Sequence, residues 1–142
     1  MRRSRTVGGA DMPSRSPPPP KNRVLLADVA GAGQRAVAAL LRSLPDTVLV
    51  SEPLSAEALA SELRSSAPDV VVIDDRLLGA VASAPRDADV PMIVVGVDDD
   101  PSFARRARRY GAVAWIPKER ADELLPDLLE RLHAEPGRAR SR

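Results

Sequence analysis

The sequence predicts an α/β fold, a doubly wound sheet of five parallel strands with helices on both faces. Short apolar runs alternate with stretches of helical periodicity over about 110 residues. Several of those runs lack the polar alternation of a strand with one wet face, so they are expected to be covered on both sides, as parallel strands are. The chain is 44% apolar but only 2% aromatic, which suits one domain with an aliphatic core.

The elements follow in order. "VLLA" (24–27) reads as the first buried strand. In "GQRAVAALLRSL", Val37, Leu40, Leu41 and Leu44 recur at helical spacing and line one face. "TVLV" (47–50) is the second strand. "SAEALASELRSS" is the second helix, with Ser55 as its N-cap. "VVVI" (70–73) is the third strand, and "PMIVV" (91–95) the fourth, with Pro91 at its first position. "PSFARRARRY" is a helix with Pro101 near its start, acids before it and Gly111 as its stop. "VAWI" (113–116) is the fifth strand. "DELLPDLLERLH" closes the domain with Leu125, Leu128, Leu129 and Leu132 on one face, and Pro126 is expected to distort only its first turns.

Composition narrows the chemistry. With no cysteine, disulfides and thiolate zinc sites are excluded. The single histidine, His133, leaves little room for histidine metal centres or Ser-His catalysis. No apolar run approaches the ~18–20 residues of a membrane span, and no apolar segment follows the first arginines, so a cytoplasmic protein is expected. The net charge of +1 hides an asymmetry. Residues 1–23 hold six basic residues against Asp11, and residues 135–142 hold three arginines against Glu135, so the part between is acidic. The expected organisation is a disordered, basic, proline-rich tail at 1–22, one domain at 23–134, and a disordered basic tail at 135–142. The run Pro17 to Pro20 acts as a spacer. Such tails serve as solubilising extensions, or as contacts to nucleic acid, anionic membrane or acidic protein.

In a doubly wound sheet, chemistry gathers beyond the carboxyl ends of the strands. Strand one ends at Asp28, strand three at Asp74 and Asp75, strand four at Gly96, and strand five at Pro117 and Lys118. If strands one, three and five are neighbours, Asp28, Asp74 and Lys118 converge. Two carboxylates and an ammonium can hold a divalent cation and a phosphoryl group, with one carboxylate as nucleophile. Of the 21 basic residues only Lys21 and Lys118 are lysines, and a compact ammonium is not interchangeable with a guanidinium in a tight pocket.

The segments "RVLLADVAGAGQRAVAALL", "PDVVVIDDRLLG", "VPMIVVGV" and "GAVAWIPKE" resemble the receiver domain of two-component response regulators, over about residues 23–133. The resemblance implies a flavodoxin-like sheet. It also implies Asp74 as the acceptor of a phosphoryl group from a kinase phosphohistidine, Asp28 and Asp74 as holders of magnesium, Lys118 as the phosphoryl contact, and Gly96 and Trp115 at the switch positions. The departures are equally specific. Val29 stands where the family has a second acid, Gly96 where it has a hydroxyl residue, Leu78 where a proline is common, and Asp75 where an apolar residue is usual. The stretch from Asp74 to Gly96 is shorter than usual by about eight residues, so the third helix is expected to be stunted or missing.

These departures lead to an atypical receiver, standing alone, that acts in signal transduction as a protein–protein interaction module largely independent of phosphorylation. It is not expected to be an enzyme beyond phosphotransfer to Asp74. No cofactor is required, and magnesium on Asp28 and Asp74 is expected to be weak. One alternative is a working phosphoacceptor receiver, with Asp74 phosphorylated by a histidine kinase. A remote alternative comes from "GAGQRA" (31–36) with Glu52 about twenty residues on, the spacing of a dinucleotide-binding fold. It fails on position, because Asp28, Val29 and Ala30 separate the strand from the first glycine. Arg105, Arg106, Arg108 and Arg109 form a basic patch on the fourth helix of the family's count, read either as a solvated face or as a partner surface for an acidic protein. The expected partners are a signalling protein or histidine kinase, and a second copy meeting the fourth helix and fifth strand. No DNA-reading motif follows, so sequence-specific DNA binding is not expected.

Overall fold

The computed structural model describes residues 22–83, 90–97 and 101–134. The expected disordered tails, including Pro17 to Pro20, lie outside those residues, as do the acids preceding Pro101. Five strands form one parallel sheet: β1 (Asn22–Ala27), β2 (Thr47–Ser51), β3 (Val70–Asp74), β4 (Met92–Gly96) and β5 (Ala114–Pro117). Their order is β2-β1-β3-β4-β5. The helices are α1 (Ala32–Ser43), α2 (Ala56–Ser66), α3 (Pro101–Arg109) and α4 (Ala121–Ala134), with 3₁₀ segments at Asp75–Ser83 and Lys118–Arg120.

Residue parity along the strands divides the core in two. Val24 and Leu26 of β1, Val70 and Val72 of β3, and Ile93 and Val95 of β4 pack with Val37 and Leu41 of α1 and Leu125 and Leu129 of α4. The alternate residues, Leu25, Ala27, Val71, Ile73, Met92 and Val94, pack with Leu59 of α2, Leu77 and Leu78 of the 3₁₀ segment, and Phe103 and Ala107 of α3. Side chains on a strand alternate faces, so a strand covered on both sides must be apolar at every position. β3 and β4 are buried throughout. At the edge, β2 is only half-buried, and Val48 is 36% exposed.

The local signals act as the residue types dictate. Ser55 caps α2 by accepting a hydrogen bond from the Ala58 amide at 3.2 Å. α3 ends in a Schellman arrangement: the Gly111 amide donates to Arg108 O at 2.9 Å and the Ala112 amide to Ala107 O at 3.0 Å. Gly111 has φ 83°, which costs a residue without Cβ little. Pro126 lies inside α4, which runs on across it.

Some details differ from the sequence reading. Pro91 precedes β4 instead of opening it, because the first ladder residue is Met92. β5 begins at Ala114, one residue later than expected, and extends through Pro117. Asn22, assigned to the tail, opens β1; its buried amide donates to Leu129 O at 3.1 Å and ties the strand to α4. The third helix is shortened as expected: residues 75–83 form a 3₁₀ segment, and Leu78 replaces a turn-directing proline with a buried core contact. Strands one, three and five are not mutual neighbours, since β4 lies between β3 and β5.

The two-sided core predicts that Val71→Ala and Val72→Ala each destabilise the domain by about 1–4 kcal/mol, although their side chains point to opposite faces. Val48→Ala at the exposed edge should cost no more than about 0.5 kcal/mol. Urea denaturation of the three variants measures the contrast.

Candidate functional site

The carboxyl ends of β1 and β3 place Asp28 and Asp74 side by side, and both are buried, at 0% and 2% exposure. Lys118, at the start of the turn after β5, reaches across the end of the intervening β4. Its Nζ lies 2.8 Å from Asp28 Oδ2 and 2.6 Å from Asp74 Oδ2. The three residues singled out from the sequence therefore meet, even though the neighbour relation expected for their strands does not hold. The lysine's four-carbon stem supplies the reach. Gly33, near the start of α1, supplies the room, because a Cβ there would stand 3.2 Å from the Lys118 ammonium.

The sequence reading missed the fourth member of the cluster, Arg76. Its amide donates to Asp74 Oδ1 at 2.7 Å, closing an Asx turn directly after β3. Its Nε donates to the same oxygen at 2.9 Å, and a terminal nitrogen reaches Asp74 Oδ2 at 3.2 Å and Asp28 Oδ1 at 3.5 Å. Asp28 Oδ1 also accepts the Val29 amide at 2.7 Å. The signal available beforehand was the Asp-Asp-Arg order itself, a cation two residues past a strand-ending acid. Two carboxylates thus face two cations. Balancing of this kind is what burial demands, since an uncompensated buried charge costs several kcal/mol.

Burial pulls Asp74 toward a higher pKa, but hydrogen bonds from Arg76 and Lys118 outweigh it and lower the pKa to about 2. Asp28 moves the other way. Its desolvation, reinforced by the neighbouring Asp74 charge, outweighs the Lys118 contact and raises its pKa above the usual carboxylate value. Arg76 is held more firmly protonated by Asp74.

The donor set does not suit a magnesium ion. Magnesium wants six oxygens in near-octahedral geometry, Val29 offers no side-chain oxygen, and both carboxylates already carry cationic partners. Among the described residues no group of three or more His, Asp or Glu side chains could hold a metal.

Gly96 ends β4, and Trp115 lies within β5. At Gly96 a Cβ would stand 3.3 Å from Asp75 Cβ and 3.3 Å from Cε1 and Cζ of Phe103, closer than ordinary contact. A side chain at position 96 would press on the Phe103 ring and Asp75, which would have to give by a few tenths of an ångström. Asp75, without a role from the sequence, binds the Arg106 guanidinium at 2.6 Å and 3.2 Å. Trp115 is half-buried against the α3-side core, with the Arg108 guanidinium 5.0 Å from its ring centroid. Of the four arginines of α3, Arg106 is half-buried and paired with Asp75, whereas Arg105, Arg108 and Arg109 are exposed, Arg108 with its guanidinium over Trp115.

The dinucleotide reading fails structurally. Asp28 sits buried where phosphates would approach. Glu52 is taken by Gln34, whose amide donates to it at 3.1 Å, and by an ion pair with Arg42.

No protein-family model matches the chain, and no curated protein matches it. Solved structures do. The receiver domain of the response regulator NarL from Mycobacterium tuberculosis aligns with a TM-score of 0.67 at 21% identity, over 82% of this chain and 100% of that one. A LuxR-family response regulator from Aurantimonas sp. aligns at 0.70 and 21% identity, over 84% and 94%. The response-regulator domain of CheB from Thermotoga maritima aligns at 0.67 and 17% identity, over 82% and 99%. The fold is the receiver fold. Among the described residues no helix is long and apolar enough to cross a membrane.

The opposed shifts predict the acid limb of stability. Asp74 titrates below its unfolded value, so its contribution of about 2 kcal/mol is complete above pH ~4 and is lost as the pH falls toward about 2. Asp28, titrating above its unfolded value, acts in the opposite sense: stability falls as rising pH ionises it in the folded state. Denaturation across acidic pH should show a shallower loss on acidification for Asp74→Asn than for the wild type, and a steeper one for Asp28→Asn.

Proposed function

We propose that this chain is an atypical response-regulator receiver that works in signal transduction as a protein–protein interaction module, largely without phosphorylation. One observation carries the reading: both oxygens of Asp74 are taken by Arg76 and Lys118 within the chain. A nucleophilic carboxylate needs a free lone pair aimed at the incoming phosphorus. Here an attacking oxygen must first give up a charge-assisted hydrogen bond. The end of β4 supports the same conclusion, because Gly96 provides no hydroxyl and Phe103 and Asp75 crowd its surroundings. A switch requires a ligand that binds two states with different free energies, and this pocket offers a phosphoryl group little leverage.

The proposed contact surface is α3 together with β5, centred on Arg105 and Arg109, with Arg108 covering Trp115. Its charge fits an acidic face on a signalling protein, a histidine kinase or a second copy of the chain. The alternative remains a working phosphoacceptor. It is favoured by one specific fact, the 2.6 Å approach of the Lys118 ammonium to Asp74, which keeps the phosphoryl-contact geometry of the receiver site.

Two measurements separate the readings. Incubation with a small phosphodonor and magnesium, followed by intact-mass analysis, should give little or no phosphoryl adduct. Partner capture with the wild type should be retained by Asp74→Asn and lost by the double reversal Arg105→Glu/Arg109→Glu, which spares the Asp75–Arg106 pair and the Arg108–Trp115 contact. A stoichiometric adduct that disappears in Asp74→Asn, with partner binding lost alongside it, would establish the phosphoacceptor instead.

A further inference from the structure

The mismatch between this pocket and magnesium has a specific structural origin. An ion bridging Asp28 and Asp74 must take one oxygen from each. Lys118 holds Oδ2 of both, at 2.8 Å and 2.6 Å. The oxygens left are Oδ1 of Asp74 and Oδ1 of Asp28, the two that the Arg76 side chain reaches, at 2.9 Å and 3.5 Å. We propose that Arg76 is a tethered cation standing in for a divalent metal, and that guanidinium and metal compete for the same two carboxylates. It shares the Arg76–Asp74 contact with the proposed function, but its test needs neither phosphodonor nor partner.

The electrostatics favour the substitution. Asp28 and Asp74 carry two negative charges, and Lys118 and Arg76 return two positive ones, so the buried cluster is neutral without metal. A dication added beside Lys118 would leave an excess positive charge, and without an acid at position 29 nothing offsets it. Guanidinium also tolerates partial dehydration better than a small ion that gives up its water reluctantly. The Arg76 side chain stays 60% exposed while its guanidinium meets both carboxylates. It is anchored by the Asx turn at its own backbone, so the cation is delivered with little loss of entropy beyond folding itself.

The test uses the full chain with magnesium or manganese chloride as the probe, reading thermal unfolding and Trp115 fluorescence. The wild-type midpoint should be the same in chelator and in millimolar metal. Arg76→Ala and Arg76→Gln should unfold earlier in chelator, recover when metal is added, and bind metal tighter than wild type by about tenfold or more. Arg76→Gln keeps much of the side-chain volume, so it reports even if Arg76→Ala folds poorly. Adding Asp74→Asn to either variant should abolish the metal response, which locates the ion in the pocket. Wild-type protein that binds metal as tightly as the variants would overturn the proposal, because Arg76 would not be competing. Variants that ignore metal would overturn it equally, because the two carboxylates would then not form a latent metal site.

Discussion

The structure turns on the Lys118 ammonium held between two buried carboxylates. Asp28 and Asp74 end adjacent strands of a sheet whose interior is aliphatic, so neither can be hydrated, and each raises the cost of the other's charge. Their coexistence in ionised form requires cations delivered from elsewhere in the chain. Lys118 comes from beyond β5 and passes α1 at Gly33, where the missing side chain leaves room. Arg76 comes from the turn that follows β3 itself. The pocket therefore ties the centre of the sheet to its far edge, and α1 to the segment that replaces a helix between β3 and β4.

The same economy shapes the neighbouring face. The region at the end of β4 is filled by Phe103 from α3 and by Asp75, which in turn holds Arg106. These contacts bind α3 to the end of β3. The Phe103 ring and the half-buried Asp75–Arg106 pair together join α3 to the 3₁₀ segment that follows β3. Arg108 lies across Trp115 and covers its apolar ring, leaving Arg105 and Arg109 to present charge to the outside.

Much of this was legible in the residues. The continuous apolar runs at 70–73 and 91–95 imply strands covered on both faces, and only a parallel sheet between helices covers them so. Because the apolar runs at 24–27, 70–73 and 113–116 end in Asp28, Asp74 and Pro117–Lys118, the acids and the lysine had to lie along one edge of that sheet. Ser55 and Gly111 act as caps because their chemistry is local, decided within a few residues of chain. The absence of oxygen at Val29 and of a hydroxyl at Gly96 could likewise be read directly.

What the tertiary structure alone decided is how the charges pair. The order of strands put β4 between β3 and β5, so that Lys118 works by reach and not by adjacency. Asp75 gained Arg106 from a helix 31 residues away, and Arg76 turned back over Asp74 to meet Asp28, 48 residues distant. An arginine has many rotamers and a long stem, and its sequence neighbours do not say which carboxylate it will find. That choice is made only when the sheet has assembled, because burial then makes an unpaired charge too costly to leave and selects the few side-chain conformations that pair it.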